Sequence, residues 1–222
     1  MSAYTAVIVE PRKHPALSFV LHNFAANLSK DWKILVFHGK DNKEFVHDII
    51  QGMEDPSRFL TPIQLDVTNL SFEQYNAVLM SQAFYRCIPT ETLLIFQTDT
   101  MILEPSQLQE FLSYDYVGAP WTMGHVGNGG LSLRKKTNMI TVITTVNPFH
   151  VNEDVYFSMQ KIVPLKKPTF QDAQRFSVET VFHPSPFGIH APWKNLTFEE
   201  MDQLIVRYPA IQELIRLQYN SA

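Results

Sequence analysis

Polar residues that could bind a ligand or move a proton follow several short apolar segments of the sequence. Asp99 comes just after residues 93–96, an apolar run too short for a helix and typical of a strand buried on both faces. A carboxylate at the carboxyl end of a central strand lies where α/β sheets bind ligands, and its oxygens suit hard divalent cations. Asp99 could equally cap the following turn, as aspartate often does. The segment alone leaves both interpretations open.

A second set of candidate residues lies in short, turn-rich segments of the second half. It comprises Asn128, Gly129, Gly130, Arg134, Glu153, Asp154 and His190. Each also has a plain structural explanation. Glycines serve tight turns, carboxylates are favoured in a first helical turn, and a histidine near proline and tryptophan can simply be packed. Taken singly, none of them identifies a reaction.

Composition and missing motifs exclude several classes of function. The sequence has no Gly-x-Gly-x-x-Gly after its first apolar segment, no P-loop, no Gly-x-Ser-x-Gly and no His-Glu-x-x-His. The single cysteine, Cys87, excludes an internal disulfide and a cysteine-based zinc site. A net charge of −4 without a run of like charges does not indicate a nucleic-acid partner. With no signal-peptide pattern and no membrane-length apolar stretch, we expect a soluble, cytoplasmic protein.

The first hundred residues alternate between strand and helix patterns, and these elements would position the candidate residues of the first half. Strands are predicted at 5–9, 33–37, 63–67 and 92–96, with helices from His14-Pro15 to 28, over 43–51 and over 71–84. This order predicts an α/β fold with a mostly parallel, doubly wound sheet and helices on both faces. Glu10, His38 and Asp99 would then share the edge of the sheet that binds ligands.

The second half is less regular, and it contains no repeat or linker. Its predicted elements are helices at 105–112 and 136–146, strands at 131–134 and 176–179, a loop at 187–193, and helices capped by Asn152, Thr169 and Thr197, the last broken at Pro209. We therefore expect a single domain over residues 1–222.

The order of the motifs is more informative than any one of them. The segments that carry it are Val7-Ile8-Val9-Glu10-Pro11-Arg12, Phe37-His38-Gly39, Phe96-Gln97-Thr98-Asp99, Asp115-Tyr116-Val117-Gly118-Ala119-Pro120-Trp121, Gly127-Asn128-Gly129-Gly130-Leu131-Ser132-Leu133-Arg134, Asn152-Glu153-Asp154 and Phe187-Gly188-Ile189-His190-Ala191-Pro192-Trp193. In this order the sequence resembles the nucleotide-sugar-dependent glycosyltransferases of the GT-A fold. It looks most like an uncharacterised branch of predicted glycosyltransferases from giant viruses and scattered microbes, so a virus-encoded protein is one expectation.

The resemblance implies that the two halves of the chain bind different parts of the substrates. Residues 1–104 would hold the nucleotide of a UDP- or GDP-sugar in a Rossmann-like half. Residues 105–222 would hold the donor sugar and a glycan or other hydroxyl acceptor, in a smaller mixed region. Mn²⁺ or Mg²⁺ would bridge the donor diphosphate. The activity implied is sugar transfer to an acceptor hydroxyl, with inversion.

The resemblance also implies roles for single residues. Asp99 and His190 would bind the metal, although Gln97 stands where relatives carry the first carboxylate of an Asp-x-Asp element. Asp154 matches the catalytic base of inverting relatives. The remaining donor contacts would come from Glu10, Arg12, His38, Gln97, Asp99, Asn128, Gly129, Gly130, Arg134 and Glu153.

Two other functions stay open. The missing carboxylate at Gln97 favours a non-catalytic module that binds a nucleotide sugar or a glycan. A nucleotidyltransferase on a similar fold would need a glycine-rich basic loop after the first strand. Residues 10–15 contain no glycine, so this third function ranks last.

Overall fold

A computed structural model describes residues 2–53, 60–148 and 152–219. Its main sheet has six strands in the order β3-β2-β1-β4-β7-β6, and a smaller sheet has the order β5-β9-β8. The strands are β1 (Tyr4–Val9), β2 (Trp32–His38), β3 (Leu60–Gln64), β4 (Thr92–Ile95), β5 (Thr100–Ile102), β6 (Tyr116–Val117), β7 (Ser132–Lys135), β8 (Ser177–Val178) and β9 (Gly188–His190). The first four are parallel to one another, and β6 and β7 add an antiparallel edge.

Helices connect these strands. They are α1 (Leu17–Asn27), α2 (Lys43–Gln51), α3 (Phe72–Leu79), α4 (Gln82–Cys87), α5 (Leu108–Phe111), α6 (Lys136–Thr145), α7 (Glu153–Met159), α8 (Phe170–Phe176), α9 (Phe198–Arg207) and α10 (Ala210–Tyr219). Two 3₁₀ turns cover Pro105–Gln107 and Pro192–Lys194. Within the described ranges, no helix is both long and apolar enough to cross a membrane.

The central strands are continuous apolar runs because both of their faces are buried. In β1, Ala6 and Ile8 join a core shared with α1, α2, α9 and α10, while Val7 and Val9 join a second core that includes residues of α4 and α6. Successive side chains of a strand point to opposite faces, so two cores require apolar residues at every position. The predicted α/β class, with a mostly parallel sheet covered on both faces, is confirmed.

Several predicted elements differ from the structure in their bounds. The third strand lies three residues earlier than expected and includes Pro62, which is tolerated because β3 is an edge strand. The predicted helix over 71–84 is two helices, because Ser81 ends the first and caps the second through the N–H of Phe84, at 3.2 Å. The first helix begins at Leu17 rather than at His14, and residues 54–59 of the predicted connection lie outside the described residues.

The predicted loop at 187–193 is wrong in part. Residues Gly188–His190 form β9, which is paired with β5 on one side and with β8 on the other. Three residues carry too little periodicity to reveal a strand. The residues of β5 that pair with β9 are 86 to 90 positions away in the sequence. As a consequence, His190 lies directly opposite Thr100, the residue after Asp99.

The strand order creates a crevice between β1 and β4. From β1 the chain proceeds to β2 and β3 on one side, and then returns to place β4 on the other side of β1. Ligands of open α/β sheets bind at such a switch point, outside the carboxyl ends of the strands. Glu10 follows β1 and Asp99 follows β4, so both lie at this position. Both sheets combine strands from either side of residue 104, and the division into a nucleotide half and a sugar half stays a prediction.

Candidate active site

A cavity of about 530 Å³ opens at the switch point. Its wall brings together ten of the predicted site residues: Glu10, Arg12, Gln97, Asp99, Asn128, Gly129, Gly130, Glu153, Asp154 and His190. They come from five separate parts of the sequence, and the fold brings them around one space. The volume falls within the usual range for small-molecule sites.

Two predicted donor contacts do not reach this cavity. His38 is buried at the end of β2, and its Nδ1 lies 2.7 Å from the carbonyl oxygen of Gly39. Arg134 is fully buried beneath the cavity wall. Both were predicted as donor contacts, His38 because its strand ends on the ligand-binding edge of the sheet. This edge is wider than the crevice, and only β1 and β4 border the crevice.

Asp99 is held between two cationic side chains. Its Oδ2 lies 3.1 Å from Nζ of Lys194, and its Oδ1 lies 3.4 Å from Nε2 of His190. Although burial disfavours the charged form, His190 and Lys194 together hold the pKa of Asp99 well below its usual range. On the far side of the imidazole, Oε1 of Glu179 lies 3.3 Å from Nδ1 of His190. Burial opposes protonation of His190, but Asp99 and Glu179 outweigh it and raise the pKa of His190 to about 9.

This arrangement is a poor fit to the metal that the resemblance implies. The two predicted ligands do lie together, with 3.4 Å between Oδ1 of Asp99 and Nε2 of His190. The ammonium of Lys194 already contacts the other oxygen of Asp99. Among the described residues, no group of three His, Cys, Asp or Glu side chains is placed to hold a metal.

Glu10 and Arg12 form a second charged pair at the cavity wall. The guanidinium donates from Nε to Oε1 of Glu10 at 2.8 Å and from NH2 to Oε2 at 2.7 Å. The two parallel bonds fix the plane of the guanidinium. Glu10 is buried, whereas the side chain of Arg12 is 56% exposed, so the pair presents its cation toward the cavity.

The two adjacent glycines form a floor that tolerates no side chain. A Cβ on Gly129 would lie 2.2 Å from Oε1 of Glu153, and one on Gly130 would lie 2.3 Å from the ring of His190. Asn128 fixes this turn, since its Oδ1 accepts the N–H of Gly130 at 3.0 Å. The glycines are therefore required by close approach of the chain, which also leaves bare backbone facing the cavity.

Asp154 stands beside this floor with its carboxylate open to the cavity. Its Oδ2 accepts the N–H of Gly129 at 3.3 Å and its Oδ1 accepts the N–H of Val155 at 2.7 Å. Burial, and then the charge of Glu153, raise the pKa of Asp154 above its ordinary value, despite these two hydrogen bonds. A carboxylate with a raised pKa in a cleft is suited to accepting a proton.

The Arg134–Glu153 pair supports the floor from below. Arg134 donates from NH1 to Oε2 of Glu153 at 2.7 Å and from NH2 to Oε1 at 3.0 Å. Arg134 also donates from Nε to Oγ of Ser132 at 2.9 Å, so its bonds extend into β7. Although burial opposes its charge, Glu153 leads the contacts that raise the pKa of Arg134 well above its usual value.

The predicted cap of α7 comes from elsewhere. Asn152 occupies the N-cap position but makes no capping bond with its side chain. Instead, Oδ1 of Asn76 in α3 accepts the N–H of Glu153 at 2.6 Å. This bond connects α3 to the helix that carries Asp154.

Sequence reasoning missed four residues of the site: Tyr75, Asn76, Glu179 and Lys194. Tyr75 lines the cavity, and its hydroxyl accepts the side-chain N–H of Gln97 at 2.9 Å. Tyr75 and Asn76 lie on the helix predicted over 71–84, to which the sequence analysis assigned no site residue, and Lys194 follows a segment predicted as a loop. The one available signal for Lys194 was its place four residues after His190.

Comparisons with solved structures place this fold among glycosyltransferases of the GT-A type. The galactosyltransferase LgtC, solved with donor and acceptor sugar analogues, is 8% identical with a TM-score of 0.60, and the match covers 97% of this chain and 95% of LgtC. The mannosyltransferase PcManGT from Pyrobaculum calidifontis, solved with GDP-Man and Mn²⁺, is 14% identical with a TM-score of 0.56, covering 75% and 54%.

A third neighbour is TarS residues 1–349 from S. aureus, solved with UDP-GlcNAc. It is 11% identical with a TM-score of 0.51, covering 79% of this chain and 65% of that one. This chain therefore spans about half the length of PcManGT, and nearly all of LgtC. At such identities the likeness concerns the fold. The expected GT-A-like architecture is confirmed, and the closer resemblance to a branch from giant viruses stays a prediction.

Sequence comparison gives a family but no activity. No curated protein matches the sequence significantly. The family described as "Protein of unknown function (DUF5672)" matches residues 62–190, which include β4, the glycine floor, Asp154 and His190. This match spans more than half of the chain, and the protein therefore belongs to the DUF5672 family.

Proposed function

We propose that this protein is an inverting glycosyltransferase that moves a sugar from a UDP- or GDP-sugar to an acceptor hydroxyl. The observation that carries the proposal is the position of Asp154, a carboxylate beside a side-chain-free glycine floor, in a cavity at the switch point of the main sheet. Every neighbouring fold described above belongs to a protein that its name identifies as a sugar transferase or that was solved with a nucleotide sugar.

In the proposed reaction, the residues of this chain position the two substrates and move one proton. The acceptor oxygen attacks the anomeric carbon of the donor sugar while the bond from that carbon to the diphosphate oxygen breaks. Asp154 takes the hydroxyl proton, and the nucleoside diphosphate leaves with the electron pair of the broken bond. Glu10 and Arg12, after β1, would contact the nucleotide, and Gly129 and Gly130 would lie under the donor sugar. The raised pKa of Asp154 suits a base of this kind.

Divalent-metal assistance, which the resemblance implies, has no step in this proposal. PcManGT was solved with Mn²⁺, but in this chain a lysine contacts the carboxylate that would hold the ion. The non-catalytic binding module is not favoured by the comparisons, and the nucleotidyltransferase has no further support. The binding module is one outcome of the experiment below.

The test separates binding from chemistry. Release of nucleoside diphosphate from UDP- and GDP-sugars is measured with wild type and with Asp154→Asn, in the presence of a mixture of simple sugar acceptors. Loss of a general base should slow release by about 10²–10⁴-fold. Donor binding by calorimetry should change little, because the amide keeps the shape of the carboxylate.

Two results would contradict the proposal. Undiminished release by Asp154→Asn would show that Asp154 is not the base, and a product of retained configuration would remove the need for one. Donor binding without release by wild type would favour the binding module instead.

A further inference from the structure

We propose that Lys194, assisted by Arg12, neutralises the diphosphate of the donor in place of a resident divalent cation. This inference rests on the proposed function and adds to it a residue outside every motif of the sequence. It also accounts for Gln97, since a site that does not hold a metal has no use for a first carboxylate at that position.

The backbone conformation of residues 191–194 brings the side chain of Lys194 close to Asp99. Ala191 has a φ of 44°, and no other non-glycine residue among those described has a φ in the left-handed region. Such a conformation is uncommon outside glycine and clusters at functional sites. It turns the chain from β9 into the 3₁₀ turn Pro192–Lys194, while the N–H of Ala191 donates to the carbonyl oxygen of Asp99 at 2.9 Å. The ammonium of Lys194 thereby reaches the Asp99 carboxylate at 3.1 Å.

Burial is unequal within the charged pairs of the cavity. The side chain of Asp99 is 15% exposed and that of Lys194 is 57% exposed, while Glu10 and Arg12 are 5% and 56% exposed. In both pairs the carboxylate lies at the back and the cation faces the space. An entering anion therefore meets two cations first, although the protein carries a net charge of −4.

These cations suit a leaving group that gains charge. When the bond from the anomeric carbon to the diphosphate breaks, negative charge stays on the terminal phosphate oxygens. An ammonium can donate hydrogen bonds to these oxygens without giving up its proton, and the planar Arg12 guanidinium can bind phosphate through two parallel N–H groups. Asp99 would orient Lys194 rather than bind a metal.

The test compares nucleoside-diphosphate affinity with and without metal. Dissociation constants of UDP and GDP are measured by calorimetry in EDTA, and again with Mn²⁺, for wild type, Lys194→Met and Lys194→Arg. We expect the wild-type value for the tighter nucleotide to change less than threefold between EDTA and Mn²⁺. Lys194→Met should weaken binding in EDTA at least tenfold, and Lys194→Arg should keep most of the affinity because it keeps the charge.

A matched control is Lys40→Met. Lys40 is also an exposed lysine paired with an aspartate, Asp66, at 2.6 Å, but it lies outside the cavity. Its replacement should leave the affinity unchanged. Unfolding temperatures without ligand check that every variant is folded.

A tenfold loss of wild-type affinity in EDTA would overturn this inference while leaving the proposed function in place. An unchanged dissociation constant in Lys194→Met would overturn it too. If neither nucleotide binds wild type under any condition, the proposed function fails and this inference fails with it.

Discussion

Two clusters of oppositely charged residues lie at this site, and they differ in how far their cations are buried. In the floor pair, Arg134 and Glu153, both side chains are buried and each charge is satisfied by the other. In the cavity cluster, Asp99 and Glu10 are covered while Lys194 and Arg12 stay half exposed. The difference indicates that a closed ion pair holds the scaffold, whereas an open one presents charge to a ligand.

The largest expected effect is on stability, from breaking the floor pair. Arg134→Met leaves the Glu153 carboxylate buried without a partner, which costs about 3–5 kcal/mol for pairs of this kind. Lys194→Met removes an exposed partner and should cost less than about 1 kcal/mol. Urea unfolding of the two variants measures both values.

The control for that experiment is the double variant Arg134→Met with Glu153→Met. It removes both charges, so it should recover much of the lost stability. Equal losses in Arg134→Met and Lys194→Met would contradict the distinction between a scaffold pair and a ligand-facing pair.

The next effect concerns the glycine floor, which separates the two clusters. Gly130→Ala would place a Cβ 2.3 Å from the His190 ring, which lies between Asp99 and Glu179. Overpacking of this kind costs about 1–3 kcal/mol, and displacement of His190 should also weaken nucleotide binding. Thermal unfolding and calorimetry check both expectations.

Gly52→Ala is a control for which we expect a gain in stability instead of a loss. Gly52 ends α2 with a helical φ of −74°, and among the described residues its added Cβ would meet only ordinary contacts, the nearest at 3.4 Å. At a compatible position, alanine stabilises by about 0.4–1 kcal/mol through the unfolded chain. A destabilised Gly52→Ala or a neutral Gly130→Ala would contradict this description of the floor.

The smallest effect is a dependence of stability on pH at Asp154. Its pKa is raised in the folded protein, mainly by burial and then by Glu153, so the unfolded chain loses this proton at a lower pH than the folded chain does. Ionisation of Asp154 therefore destabilises the fold, increasingly as pH rises from the ordinary value of 3.8 to the raised value. The amide of Asp154→Asn keeps one acceptor oxygen for the two backbone N–H groups that Asp154 binds, which lowers its stability by an amount independent of pH. Relative to wild type, its free energy of unfolding should rise as the pH increases from 3.8 to the raised pKa. Unfolding free energies at several pH values would contradict this if that difference stayed constant or fell.

The sequence predicted those parts of the fold in which local pattern and burial agree. The α2 bounds, the start of a helix at residue 71, the helix cap at Thr197, and the buried runs of β1, β2 and β4 all follow from residue type and spacing. For the site, the motif order identified ten of the residues that line the cavity.

The parts that were missed depend on distant partners. β9 exists only through its pairing with β5 and β8, so the sequence around His190 was interpreted as a loop. Glu179 and Lys194 belong to the site because that pairing, and the turn at Ala191, bring them to Asp99 and His190. His38 follows the pattern of a site residue but ends a strand one position too far from the crevice. No local spacing carries such information.

The most direct test of the account is whether the cavity cluster binds a nucleoside diphosphate. Thermal unfolding is followed with UDP, GDP and their sugars, each with Mn²⁺, Mg²⁺ or EDTA, for wild type and for Arg12→Ala. A ligand at 100 times its dissociation constant should stabilise the fold by about 2.7 kcal/mol. The account predicts such a shift with one nucleotide in wild type and a smaller one in Arg12→Ala. No shift with any nucleotide or nucleotide sugar would contradict it.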